Sequence, residues 1–135
     1  MKKRGFGVGL WNGVGGKVQE SENIEDAMKR ETKEEIEVDI LEFKKVAEIL
    51  FTFEDENIPD QDVHAYIATS WDGDPVETEK MKPEWFDFKD IPYSQMWEDE
   101  KYWMPIVLDG RFVKAKFHFD KSNKLQNIKI EATNH

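Results

Sequence analysis

No cysteine occurs in the 135 residues. Disulfides, zinc–thiolate centres and thiol nucleophiles are excluded, and a reducing compartment such as the cytoplasm is compatible with that lack. No apolar run approaches the ~20 residues that a membrane helix needs, so no membrane role is expected. The basic start Met1-Lys2-Lys3-Arg4 runs into the glycines from Gly5 to Gly9 rather than an apolar segment, which argues against a secretory signal. Positive charge is scarce: 19 Lys and Arg stand against 29 Asp and Glu, a formal net charge of −10. Such a chain should repel a nucleic-acid polymer, whose backbone calls for clustered cations. It can still bind a free nucleotide if a divalent cation lies between the two sets of negative charge. Glycine is scarce outside one stretch, since six of the eight lie between Gly5 and Gly16. A segment so rich in glycine loses much conformational entropy on folding, which fits a loop that turns tightly or approaches a ligand closely.

The composition that remains, 39% hydrophobic and 36% charged, suits one soluble globular domain over residues 1–135. Asn23 reads as an N-cap with Glu25 and Asp26 in the first turn, opening a helix from Ile24 to Ile36. Val38 to Phe53 is rich in β-formers, Glu54 to Asp62 is a polar loop, and Val63 to Thr69 is a strand before a turn at Gly73 to Pro75. A short strand is expected at Glu84 to Phe88, and a second helix at Glu98 to Leu108 disturbed by Pro105. Arg111 to Phe119 alternates, with Val113, Ala115, Phe117 and Phe119 on one face and Lys114, Lys116 and His118 on the other. A turn at Asp120 to Asn123 leads to a last strand ending near Ile130. Helices and strands mix without a βαβ rhythm, so the class is α+β.

The first helix carries the chemistry. At about 100° per residue, Ile24, Ala27, Met28, Glu31 and Glu35 share one stripe, flanked by Glu34. The first half of that stripe should face the core, yet its second half is carboxylate. Glu31, Glu34 and Glu35 are helical neighbours whose like charges repel, and burying them uncompensated would force protonation. Two readings fit. In one, the acids are a solvated face partnered by Lys29, Arg30 and Lys33. In the other, they form a hard-cation site, since Mg²⁺ favours oxygen ligands that include substrate phosphates.

Gly16, Glu22, Arg30, Glu31, Glu34, Glu35 and Val38 stand at the spacing of the Nudix box, and the chain resembles the Nudix hydrolases. Thr32 stands where the box has an aliphatic residue, and Glu37 where it has glycine. The likeness extends to the oxidised purine nucleoside triphosphatases, the homologues of MutT. It runs through Lys2 to Gly7, Trp11-Asn12-Gly13, Gly15 to Glu20, Asp62-Val63-His64, Gly73 with Pro75-Val76-Glu77, Trp85-Phe86, Met96-Trp97, Asp99, and Tyr102-Trp103 with Pro105.

The resemblance implies a mixed β-sheet flanked by helices, an α/β/α sandwich. It also implies hydrolysis of 8-oxo-dGTP or 2-hydroxy-dATP to the monophosphate and pyrophosphate, which sanitises the nucleotide pool. Mg²⁺, with Mn²⁺ as an alternative, would be held by Glu31, Glu34 and Glu35 near the backbone of Gly15, with Arg30 orienting the glutamates. Glu35 or Glu34 would position or deprotonate the attacking water. The base pocket would use Lys2, Phe6, Asn12, Met81, Trp97, Asp99 and Glu100, with Trp97 stacking on the purine and Asn12 bonding a base edge. Asp99 and Glu100 close to a base would titrate as a coupled pair. Lys17 and Arg4 are candidates for phosphate contacts, with ordinary solvated surface as the competing reading.

Two departures bear on activity. Lys80 stands where the subfamily supplies another metal-linked glutamate, so Glu79 or Glu77 would have to substitute, or Lys80 would reach a phosphate, or activity would be weak. The family's first strand normally precedes the segment that begins this chain. Family members are monomers, but an absent strand would expose an edge and favour a dimer or a strand swap. Two alternatives follow: a nucleotide-binding module with little or no turnover, and a Nudix enzyme for another nucleoside diphosphate derivative.

Overall fold

The side chain of Asn23 accepts a hydrogen bond from the Asp26 N–H at 2.7 Å and opens helix α1, Ile24–Ile36, with Glu25 and Asp26 in its first turn. The acids sit where the positive end of the helix dipole favours them. At the other end Glu37 adopts the left-handed conformation (φ 62°, ψ 33°) and its N–H donates to the Lys33 carbonyl. Glutamate therefore makes the exit turn that glycine makes without strain. Thr32 is buried in the helix, and its hydroxyl donates to the Met28 carbonyl at 2.8 Å. That back-bond satisfies the group which would otherwise be a poor replacement for an aliphatic side chain.

The computed structural model describes residues 1–3, 9–11, 13 and 15–134. The other elements are β1 (Asp39–Phe53), β2 (Gln61–Asp72), α2 (Glu100–Leu108), β3 (Arg111–Phe119) and β4 (Leu125–Asn134), with single 3-10 turns at Phe88–Asp90 and Tyr93–Gln95. They form a four-stranded sheet in the order β2-β1-β3-β4. β1 runs parallel to β3 from Ala47↔Val113 to Phe53↔Phe119, and β3 runs antiparallel to β4 from Arg111↔Asn134 to Phe119↔Leu125. The sheet is mixed and the class is α+β, as expected.

The chain divides into two compact units, residues 1–43 with 68–97 and residues 44–67 with 98–135. In the second, Val113, Ala115, Phe117 and Phe119 are all buried, as the alternation of β3 requires. Phe51 stacks on Phe117 with centroids 5.8 Å apart, and Phe53 stacks on Phe119 at 5.6 Å. Ala47 and Ile49 of β1 are completely buried. The β3–β4 turn is held by Asp120, whose carboxylate accepts from the N–H groups of Ser122 and Lys124 at 2.8 and 3.0 Å, with Asn123 left-handed. Pro105 lies within α2, and its carbonyl still accepts from the Asp109 N–H at 3.1 Å, so the helix runs on to Leu108.

The first unit holds α1 and the two chain stretches that frame it. Residues 1–3 run antiparallel to 80–82: Lys2 bridges Met81, the Lys3 N–H donates to the Lys80 carbonyl at 3.1 Å, and the Lys82 N–H donates to the Met1 carbonyl at 2.8 Å. Three sequence expectations need correction. Glu84 to Phe88 is not a strand: Pro83 lacks a donor, and the Asp90 N–H curls back to the Asp87 carbonyl at 2.9 Å. β4 ends at Asn134 rather than near Ile130, because it pairs along the whole of β3. Ile24 is exposed, so the apolar part of the α1 stripe reduces to Ala27 and the partly buried Met28.

Candidate active site

The acidic half of α1 lies in the first unit and is organised by Arg30. Its guanidinium grips Glu22 in bidentate fashion, with Nε donating to Oε2 at 2.8 Å and Nη2 to Oε1 at 3.1 Å. Nη1 donates to Oε1 of Glu31 at 2.9 Å and to Oε2 of Glu34 at 3.2 Å, and Nη2 reaches the Lys17 carbonyl at 3.2 Å. The planar fork of arginine suits this work. Its hydrogen bond to Glu22, and then its bond to Glu31, hold the guanidinium above its ordinary pKa, while the same contact lowers that of Glu22. Arg30 thus aims two of the three helical carboxylates and ties the helix to the loop before it.

Glu35 is held differently. Its side chain is buried, with the residue 6% exposed, and Oε2 accepts from the Gly15 N–H at 3.0 Å. Burial pushes its carboxyl pKa up; the Gly15 hydrogen bond opposes the shift, nearby Glu31 adds to it, and Lys2 and Lys80 oppose it weakly. The expected partner Gly15 is therefore at the site through its N–H, a donor that orients a carboxylate. Gly16 is needed for space: a Cβ there would lie 2.5 and 2.7 Å from the two carboxylate oxygens of Glu31.

Of the three cations offered as partners in the solvated-face reading, Arg30 pairs with the acids, and Lys29 and Lys33 have other contacts. Lys29 sits over the Phe43 ring at 5.1 Å, and Lys33 pairs with Asp39 at 2.9 Å, so both turn away from the cluster. Among the described residues, the cations paired with carboxylates of the cluster are Arg30 and Lys80, the latter with Nζ 3.4 Å from Glu34 Oε2. Among the described residues, no three His, Asp or Glu side chains stand arranged so that they could hold a metal ion. The donors are nonetheless of the right kind for a hard divalent ion. Carboxylate oxygens of graded exposure lie on one helical flank, beside a glycine position with no side chain to fill the gap.

The base-side candidates fall in both units. In the first, Lys2 and the buried Met81 are brought together by their bridge, and Trp97 is half-buried. Lys17 is exposed, and its carbonyl serves Arg30. Phe6, Asn12 and Arg4 lie outside the described residues. In the second unit, Asp99 and Glu100 open α2, and both are buried. Asp99 does not cap the helix backbone. Its Oδ2 accepts from the Trp103 indole N–H at 2.8 Å, while burial raises its pKa against that hydrogen bond. A shallow cleft of about 390 Å³ lined by Trp85, Phe86, Asp87 and Asp90 contains none of these candidates, and its two carboxylates disfavour a triphosphate.

Sequence reasoning missed two participants. Glu22 matched a spacing but had no role until Arg30 was seen gripping it. Thr78 was not singled out; its hydroxyl donates to the Glu35 carbonyl at 2.6 Å and fastens the 78–82 segment to the end of α1. No local pattern marks a threonine for such a contact.

The profile of the NUDIX domain family matches residues 1–106. The chain is 43% identical over 131 residues to the oxidized purine nucleoside triphosphate hydrolase of Mus musculus, covering 96% of this chain and 83% of that protein. The protein of the same name from Danio rerio is 41% identical over 131 residues, covering 97% and 83%. The 8-oxo-dGTP diphosphatase of Buchnera aphidicola is 28% identical over 92 residues, covering 68% and 67%. Among solved structures, the mutator MutT protein of Bacillus halodurans superposes with a TM-score of 0.80 at 20% identity, over 91% of this chain and 83% of that one. At that identity the likeness speaks to the fold alone.

Proposed function

Because the chain belongs to the Nudix family, we propose that it hydrolyses oxidised purine nucleoside triphosphates to the monophosphate and pyrophosphate, with Mg²⁺ as the ion it uses and Mn²⁺ as an alternative. The names of the vertebrate relatives support the substrate class. The observation that carries the reading is the carboxylate cluster itself: Glu31 and Glu34 aimed by Arg30, and Glu35 buried on the Gly15 N–H. Glu31, Glu34 and Glu35 would hold the ion, and the chemistry it would supply is neutralisation of the negative charge on the triphosphate and its leaving group.

The chain's own residues supply positioning. Arg30, anchored on Glu22, orients the carboxylates of Glu31 and Glu34. Glu35 is the general base of choice, since burial has already raised its affinity for a proton and a hydrogen bond fixes one of its oxygens. Glu34, 42% exposed at its side chain, suits an ion-facing role better than proton transfer. Lys2, Phe6, Asn12, Met81, Trp97, Asp99 and Glu100 are the base-reading set, and Lys17 and Arg4 the candidates for the phosphates. The protonation of Asp99, favoured by burial, would let it donate to a base edge. We read residues 1–135 as one domain, acting in a reducing compartment such as the cytoplasm on free nucleotides rather than nucleic acid or membranes.

The test is a pyrophosphate-release assay on 8-oxo-dGTP, 2-hydroxy-dATP and ordinary dNTPs with Mg²⁺. Glu35→Gln should lower kcat by about 10²- to 10⁴-fold with an unchanged melting curve. Wild-type turnover that is absent for every substrate, or survives in Glu35→Gln, would overturn the reading.

A further inference from the structure

Glu34 is the exposed member of the cluster, and one of its oxygens is doubly engaged. Oε2 accepts from Arg30 Nη1 at 3.2 Å and lies 3.4 Å from the Lys80 ammonium. The two cations are not equivalent. Arg30 is locked by its bidentate grip on Glu22 and by the Lys17 carbonyl. Lys80 is 47% exposed at its side chain, and its contact with Glu34 is the longer one.

Lys80 is nevertheless placed by the backbone. The Thr78 hydroxyl donates to the Glu35 carbonyl at 2.6 Å and accepts from the Lys80 N–H at 3.2 Å. The Val76 N–H donates to the Ile36 carbonyl at 3.1 Å, and the Thr78 N–H closes a turn onto the Met81 carbonyl at 3.0 Å. From the other side, the Lys3 N–H holds the Lys80 carbonyl at 3.1 Å and the Lys3 ammonium holds the Thr78 carbonyl at 2.9 Å. These bonds clamp the segment on both sides of Lys80 and keep its ammonium within reach of the Glu34 carboxylate.

We propose that Lys80 is a tethered cation that competes with Mg²⁺ for Glu34 and so sets the Mg²⁺ concentration at which the cluster fills. A divalent ion that takes Oε2 of Glu34 competes with the two described cations on that oxygen, and Lys80, the more exposed and more distant of them, is the one that yields. The inference rests on reading the cluster as a divalent-cation site. Removing the competitor should tighten Mg²⁺ binding by roughly fivefold, a modest factor because the pair is solvent-exposed and screened.

The experiment is calorimetric titration of the full chain with Mg²⁺ alone, on wild type, Lys80→Met, Lys80→Arg and Lys33→Met. Lys33→Met removes the same charge from α1 but at the Asp39 pair, so it measures the bulk charge effect. Lys80→Met should bind Mg²⁺ about fivefold more tightly, while Lys80→Arg and Lys33→Met stay near wild type. The Mg²⁺ concentration for half-maximal rate should fall in step in Lys80→Met alone. Equal affinity in wild type and Lys80→Met, or an equal gain in Lys33→Met, overturns the competition. No uptake of Mg²⁺ by any of the proteins overturns the cation site itself, and the inference with it.

Discussion

Gly16→Ala isolates the geometry of the carboxylates from the stability of the fold. A methyl group at Gly16 would lie 2.5 and 2.7 Å from the two oxygens of Glu31, where ordinary contact begins near 3.4 Å. The Glu31 carboxylate is the far end of a flexible side chain, so it can yield by rotating rather than by shifting backbone. The required displacement is roughly 1 Å, and a misplacement of about that size costs on the order of 10²-fold in rate. That corresponds to ~2.7 kcal/mol in the barrier. Stability should move little or slightly upward, because Gly16 does not have a left-handed φ and replacing such a glycine by alanine gains about 0.4–1 kcal/mol through the unfolded chain. The assays are initial rates of pyrophosphate release from 8-oxo-dGTP at saturating Mg²⁺, and thermal melting followed by circular dichroism. Gly13→Ala is the control, since a Cβ there meets nothing within 4 Å. If Gly16→Ala keeps its rate to within threefold, or loses its melting temperature along with its rate, the steric argument fails.

Two further outcomes test other features. Burial raises the Asp99 carboxyl pKa above its ordinary value of 3.8, so the native protein binds that proton more readily than the unfolded chain. The stability linked to it is present below pH ~4 and lost as pH rises through the folded-state pKa. Asp99→Asn should therefore stabilise the protein against urea at pH 7 and give no gain at pH 4, and it should cut kcat/KM for 8-oxo-dGTP at least tenfold; equal stability at pH 7 refutes the linkage. Glu37→Gly should raise stability by about 1 kcal/mol, because the left-handed cap strains every residue with a side chain; a loss in urea unfolding would show that the Glu37 side chain does something unseen.

Legibility varied with how local the cause was. The helix Ile24–Ile36 was readable to the residue because a capping asparagine and two first-turn acids sit next to one another in sequence. The face of β3 was readable from strict alternation. Glu84 to Phe88 misled because an aromatic-rich run suggests a strand only if a neighbour pairs with it. The extra length of β4 was invisible because β3, its partner, sets it. At the site, helical spacing singled out Glu31, Glu34 and Glu35, and the resemblance to the Nudix box added Arg30. Neither could show that Lys29 and Lys33 look elsewhere, that Glu22 anchors the arginine, or that Thr78 and Lys80 reach the cluster from the far side of the sequence.

The parallel pairing of β1 with β3 has a consequence for how the protein is born. Phe51 and Phe53 emerge from the ribosome long before Phe117 and Phe119, the rings they stack on. Until the C-terminal hairpin is made, β1 has no neighbour on that side and its aromatic face stays wet. Contacts of such sequence separation form slowly. The nascent chain must therefore wait, with the β3 side of β1 uncovered, until residues 111–119 have been made.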